Sequence, residues 1–214
     1  LEETVNTVTW LFYKKALPKF PNLEGFTDRD YWAHSWACAT ANKMLGHPRL
    51  QTNPQPGELY IAGLLHGIGK LFLALHRPDD FLVSIRTSQD AQRPLFLAEI
   101  EVMGTTDGHV AHEVLKEWRL PENICHAVKH YYTPVEAPPT HREIASLTQY
   151  AYFIANGSGV GTVGDSLCVD LADTLIAEEE DTPLALEKTQ ETYVKQIYET
   201  IADKAKTIIH MESD

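Results

Sequence analysis

The stretch YIAGLLHGIGKLFLAL, residues 60–75, decides how this chain is read. Its apolar residues recur at helical rather than alternating spacing. Leu59, Ala62, Gly63, His66 and Lys70 share one helical face, and Ala62 and Gly63 leave room for a neighbouring helix. Gly67 and Gly69 would each cost up to ~1 kcal/mol inside a helix, so a break near His66 is expected. His66 and Lys70 interrupt the apolar run, which is also shorter than the ~20 residues a bilayer span needs. The stretch is therefore read as a buried core segment, with no membrane as a partner.

Outward from it, the pattern is helical almost throughout. Residues 3–19 form a first helix, stopped by Pro18 and Pro21. Thr27 and Asp30 sit at capping-box spacing and start a second helix, which runs to about Leu45 and stops at Gly46. His34, Ala37, Cys38, Ala41 and Leu45 fall on one face of it. Residues 77–94 read as a connection with a short helix, and residues 95–103 as a further helix. Residues 109–118 would bury Val110, Val114 and Trp118. Pro121 starts another helix from its first position and buries Ile124, Ala127, Val128 and Tyr131. Residues 143–155 are helical, and residues 156–164 form a glycine-rich connection. A tail helix over about 183–209, behind the acidic run 178–181, would bury Leu186, Tyr193, Ile197 and Ile201. The expectation is one all-α domain with a core over about 27–164 and a tail helix.

Composition narrows the function. Of 214 residues 43% are hydrophobic and 22% charged, which suits a soluble globular chain. The formal net charge is −12 and no basic run occurs, so nucleic acid is excluded as a partner. Cys38, Cys125 and Cys168 are too few and too scattered for a disulfide framework, which places the chain in the cytoplasm. The tryptophans Trp10, Trp32, Trp36 and Trp118 serve the core, or, for Trp32 and Trp36, a docking face.

Several pieces in order carry a resemblance. They are Tyr31-Trp-Ala-His34-Ser35, then Ala62-Gly-Leu-Leu-His66-Gly-Ile-Gly-Lys70, then Glu101-Val-Met-Gly104. The stretch 111–122 with Trp118, Leu120 and Pro121 follows, and then 127–134. Together they resemble the HDOD domains, helical relatives of the HD metal-dependent phosphohydrolases. The resemblance implies an HD-domain-like helical bundle and a bacterial signalling or regulatory output role. It also implies an additional N-terminal helical half that is missing from this chain.

The same resemblance locates a vestigial pocket. His34 and His66 stand where HD hydrolases hold metal ligands. Gly67 replaces the Asp of the His-Asp pair and Asp107 takes a position that is often His. Tyr131 and Tyr132 replace paired histidines, and Tyr152 the last Asp. HD chemistry needs several His and carboxylate donors to activate water on a metal. Too few remain for a dinuclear centre. The expectation is no catalytic residues, no metal and no cofactor. A protein partner or attached signalling domain is expected, and a small-molecule ligand is left open. The alternatives are a phosphohydrolase with an unusual ligand set, including a mononuclear site of His34, His66 and Asp107, and a sensor that uses the old pocket. The two imidazoles are expected side by side, with Asp107 at or near the rim.

Two weaker signals remain. Gly159-Val-Gly161-Thr-Val-Gly164 matches G-x-G-x-x-G but lacks the strand before it and the helix after it, so it reads as a flexible connection. His126 with His130, and His109 with His112, have chelating helical spacings on polar faces and read as solvated histidines.

Overall fold

The computed structural model of the chain describes residues 8–9, 11–13, 15–17, 19, 21–46, 52–162, 164 and 188–211. Trp10, Cys168, Leu186, the acidic run 178–181 and the first residues of the expected tail helix lie outside them.

Nine helices follow one another in the described chain: α1 (Asp28–Leu45), α2 (Pro56–Leu65), α3 (Ile68–His76), α4 (Pro78–Ala91), α5 (Leu95–Met103), α6 (Asp107–Glu117), α7 (Glu122–His130), α8 (Arg142–Gly157) and α9 (Lys188–Met211). Short 3-10 turns, Pro134–Glu136 and Pro139–His141, link α7 to α8. Residues 8–9, 11–13 and 15–16 are also helical. Among the described residues there is no strand, only an isolated antiparallel bridge between Leu23 and Phe26. The all-α expectation holds.

Local chemistry sets the helix ends. Thr27 caps α1: its hydroxyl oxygen accepts from the Asp30 N–H at 3.2 Å and donates to Asp30 Oδ2 at 2.7 Å. Thr106 caps α6 by accepting from the His109 N–H at 3.1 Å. The break at His66-Gly67 separates α2 from α3 as expected. Residues 56–76 together are long and apolar enough to cross a membrane, but 78% of that window is buried inside the protein.

Helix α1 is the hub, packed along α2 and α8. The α1–α2 approach requires Gly63, because a Cβ there would stand 2.8 Å from the Ala39 Cα and the Cys38 carbonyl oxygen. Gly69 plays the same part between α3 and α6, where a Cβ would overlap the Asp107 carbonyl. Trp32 and Trp36 are buried on α1, which settles them as core. Ile197 and Ile201 of α9 are fully buried, and the Tyr193 hydroxyl donates to the Met44 carbonyl at 3.0 Å, so the tail helix docks on the α1 end of the core.

Four expectations are corrected. Residues 78–91 form a full helix that buries Phe81, Ser84, Ile85 and Ser88, a clean i, i+3, i+4, i+7 face hidden by its polar serines. On α6 the buried residues are Asp107, Gly108, Ala111 and Leu115; Val110 and Val114 are half-buried and Trp118 is 41% exposed. Pro121 is the cap of α7 rather than its first residue. The glycine-rich connection is packed where described: Val160 is buried, and Gly161 lies against the backbone of Asp30 and His34 in α1.

Candidate functional site

The break between α2 and α3 leaves His66 at the end of α2 and Lys70 one turn into α3, both on the inward face and fully buried. Close packing at Gly63 brings α1 against α2, which sets His34 beside His66 with ring centres 5.3 Å apart. Tyr152 from α8 closes the group, at 5.7 Å from His34 and 5.6 Å from His66. Tyr131, just past α7, stands 5.4 Å from His66 and 5.2 Å from Tyr152. Tyr132 packs against Tyr131 at 4.1 Å. Every side-chain-bearing member of the expected pocket except Asp107 thus meets in one cluster of rings. Gly67, the N-cap of α3, adds no side chain.

Asp107 enters from below the rings, as the first residue of α6, and is fully buried rather than at a rim. Its Oδ2 lies 3.2 Å from Lys70 Nζ and accepts from the Tyr131 hydroxyl at 2.9 Å. Lys70 Nζ also donates to the Tyr132 hydroxyl at 2.9 Å. The Asp107 N–H donates to Glu99 Oε2 at 2.8 Å. Sequence reading missed both Lys70 as a member of this centre and Glu99. It placed the family glutamate at Glu101, which is exposed and pairs with Arg93. The signal for Glu99 was present: Leu95, Ala98 and Glu99 share the i, i+3, i+4 face that α5 buries.

Burial and charge set the protonation states. Burial pushes the His34 imidazole well below its usual range, helped by His66 and the Lys70 ammonium. His66 is lowered to about 4, chiefly by burial and against the pull of its Gly63 hydrogen bond. His66 Nδ1 lies 2.7 Å from the Gly63 carbonyl, which only accepts, so Nδ1 carries the proton and Nε2 is left as an acceptor. Among the described residues, His66 Nε2 and both ring nitrogens of His34 have no hydrogen-bond partner. Burial and the neighbouring Asp107 hold the Glu99 carboxyl well above the usual carboxylate range, which favours its neutral form. With both histidines and Glu99 neutral, one ammonium faces one carboxylate. The charges of the centre balance inside the protein.

Helices α1, α2 and α3 thus bring two histidines and a lysine together over an α6 aspartate. The chain belongs to the HDOD domain family, whose model matches residues 1–134. Its fold is similar to that of an HDOD domain protein with unknown function from Geobacter sulfurreducens, at TM-score 0.72 and 20% identity over 89% of this chain and 63% of that one. A protein from Marinobacter aquaeolei named for signal transduction matches at TM-score 0.71 and 23% identity, covering 96% of this chain and 43% of that one. A protein from Shewanella amazonensis named as a phosphohydrolase matches at TM-score 0.62 and 17% identity, over 95% of this chain and 67% of that one. The chain spans less than two thirds of the first two structures' own length. No curated protein matches it.

Proposed function

We propose that this chain is a non-enzymatic regulatory output domain of signal transduction, which works through contacts with a protein partner or an attached domain. Membership in the HDOD family and the likeness to a protein named for signal transduction support the regulatory role. The observation that carries the non-enzymatic reading is the buried Lys70–Asp107 pair. An HD hydrolase collects histidines and carboxylates around divalent metal to activate a water. Here the donor set fits such an ion poorly. Gly67 offers no ligand, Asp107 Oδ2 is taken by Lys70 and Tyr131, and an ammonium within the same shell repels a dication. Among the described residues no three His, Cys, Asp or Glu side chains converge as ligands. The buried thiols of Cys38 and Cys125 suit a reducing compartment such as the cytoplasm.

A second reading draws on His66. Its Nδ1–H is fixed on a backbone carbonyl and its Nε2 is open, which is how metal-ligating histidines are commonly held. One assay separates the two. Purified protein is offered phosphomonoesters, bis-aryl phosphodiesters and cyclic dinucleotides with Mn²⁺ or Fe²⁺. We expect turnover no higher than that of His66→Ala. Gly67→Asp alone is expected to remain inactive, since Tyr131, Tyr132 and Tyr152 still stand where ligands are needed. Metal-dependent hydrolysis that His66→Ala abolishes would establish the mononuclear reading instead.

A further inference from the structure

We propose that the histidines stacked around His126 form an acid-sensitive latch, which holds the connection 133–141 against α7 while the rings are neutral and releases it when they take up protons. Three separate elements bring the rings together. His126 and His130 lie one turn apart on α7, whose other face buries Ile124, Ala127 and Val128. His112 comes from α6, packed alongside, and His141 ends the second 3-10 turn. The ring centre of His126 stands 5.4 Å from that of His112, 4.9 Å from that of His141 and 5.9 Å from that of His130. The His126 and His141 planes are only 11° apart, and those of His126 and His130 16°. Neutral imidazoles can stack face to face in this way. Once both members of a stack are protonated, like charges stand at the same short distance and repel.

The surroundings of His126 disfavour a cation there. Its Nδ1 is buried, and among the described residues it has no hydrogen-bond partner. Burial, with His141, His112 and Lys129 nearby, holds His126 below the usual histidine range against the pull of Glu122. Around it, Glu113 Oε1 lies 3.0 Å from His112 Nδ1 with Lys116 beside that carboxylate, and Glu136 and His109 act on His130. Arg142 follows His141 and donates to the Val135 carbonyl at 3.2 Å, while Glu143 is turned to Asn53. The carboxylates of Glu113, Glu122 and Glu136 thus match the cations of Lys116, Lys129 and Arg142 one for one, and an added proton is uncompensated. The connection's own hydrogen bonds are short in range: the N–H groups of Glu136, Ala137 and His141 donate to the carbonyls of Thr133, Pro134 and Pro138. The His126–His141 stack ties its far end to α7. Its near end follows Tyr131 and Tyr132, whose hydroxyls meet Asp107 and Lys70, so release at the surface reaches the buried centre. Folded His126 binds a proton less readily than an opened one, so opening is favoured as pH falls below 6.5.

The latch does not depend on whether the buried centre is catalytic. Its test is amide hydrogen exchange of the full chain by NMR at pH 7.0 and 5.5, corrected for the intrinsic pH dependence of exchange. The amides read are those of Glu136, Ala137 and His141. Their protection relative to α1 amides should fall about fivefold or more over that interval, as expected when opening frees one histidine to take up its proton. In His126→Phe, which keeps a stacking ring and removes the charge, the fall should be about twofold or less. In the wild type the His126 ring protons should titrate with a midpoint below 6.5, and His141→Phe should raise that midpoint. Protection of the connection that falls no faster than that of α1, or a His126 midpoint at or above 6.5, would overturn the proposal.

Discussion

Lys70→Met is expected to lower the unfolding free energy by about 3–5 kcal/mol, the cost of stranding a buried charge. Methionine keeps the apolar stem of Lys70 and removes its ammonium. Asp107 then keeps the Tyr131 hydroxyl and loses its cation. Tyr132 loses the donor to its hydroxyl as well. Asp107 cannot reach water, since it is fully buried. Adding Asp107→Asn to Lys70→Met should recover much of the loss, because a neutral amide no longer needs a counter-charge. Urea melts of the two single variants and the double variant measure the coupling directly. A loss below about 1 kcal/mol in Lys70→Met would show that the pair is not what balances the centre.

A comparable effect is expected from acid. His34 and His66 stay neutral in the folded protein far below 6.5, His66 down to about 4. In the unfolded chain both take up protons as pH falls through 6.5. Glu99 opposes them: its proton is held in the folded state and absent from the unfolded chain until pH nears 4.5. Between these limits the unfolded chain carries two extra histidine protons against one extra Glu99 proton in the folded state. Stability therefore rises with pH in this window, by about 1.4 kcal/mol per unit for the net proton. The fall from pH 6.5 to 4.5 should cost roughly 3 kcal/mol. His126 and His130 add a smaller, solvent-screened contribution of the same sign, so the informative comparison is with His66→Asn. Denaturant melts across that range should show the slope close to flat in the variant. An unchanged slope would mean that His66 is protonated in the folded state.

Much of the fold was legible because helical periodicity and the order of the family segments point to one answer. Gly63 beside Ala62 foretold the close contact that sets His34 against His66, and Gly67 foretold the helix break. What escaped depends on packing between elements. Glu99 and Glu101 lie two residues apart on α5, and only the burial of Leu95 and Ala98 says which carboxylate turns inward. Lys70 was visible on the His66 face, but its partner enters from α6 and spacing along the chain does not reveal it. Trp118 follows the last residue of α6 as its cap, beyond the helical pattern that was extended to it. The histidines on α6 and α7 read as two unremarkable pairs, since the contact that merges them is tertiary. Serines at 84 and 88 concealed the buried face of α4 because burial of a hydroxyl depends on a backbone acceptor. Those acceptors are the carbonyls of Asp80 and Arg93.

In the proposed non-enzymatic reading, the Lys70 ammonium holds the position beside Asp107 that a divalent metal would need. Wild-type crystals soaked in Mn²⁺ and measured for anomalous scattering test it most directly. No anomalous peak is expected among His34, His66 and Asp107, with Lys70 still paired to Asp107. A Mn²⁺ peak within coordinating distance of His34, His66 and Asp107, with the Lys70 ammonium displaced, would contradict it.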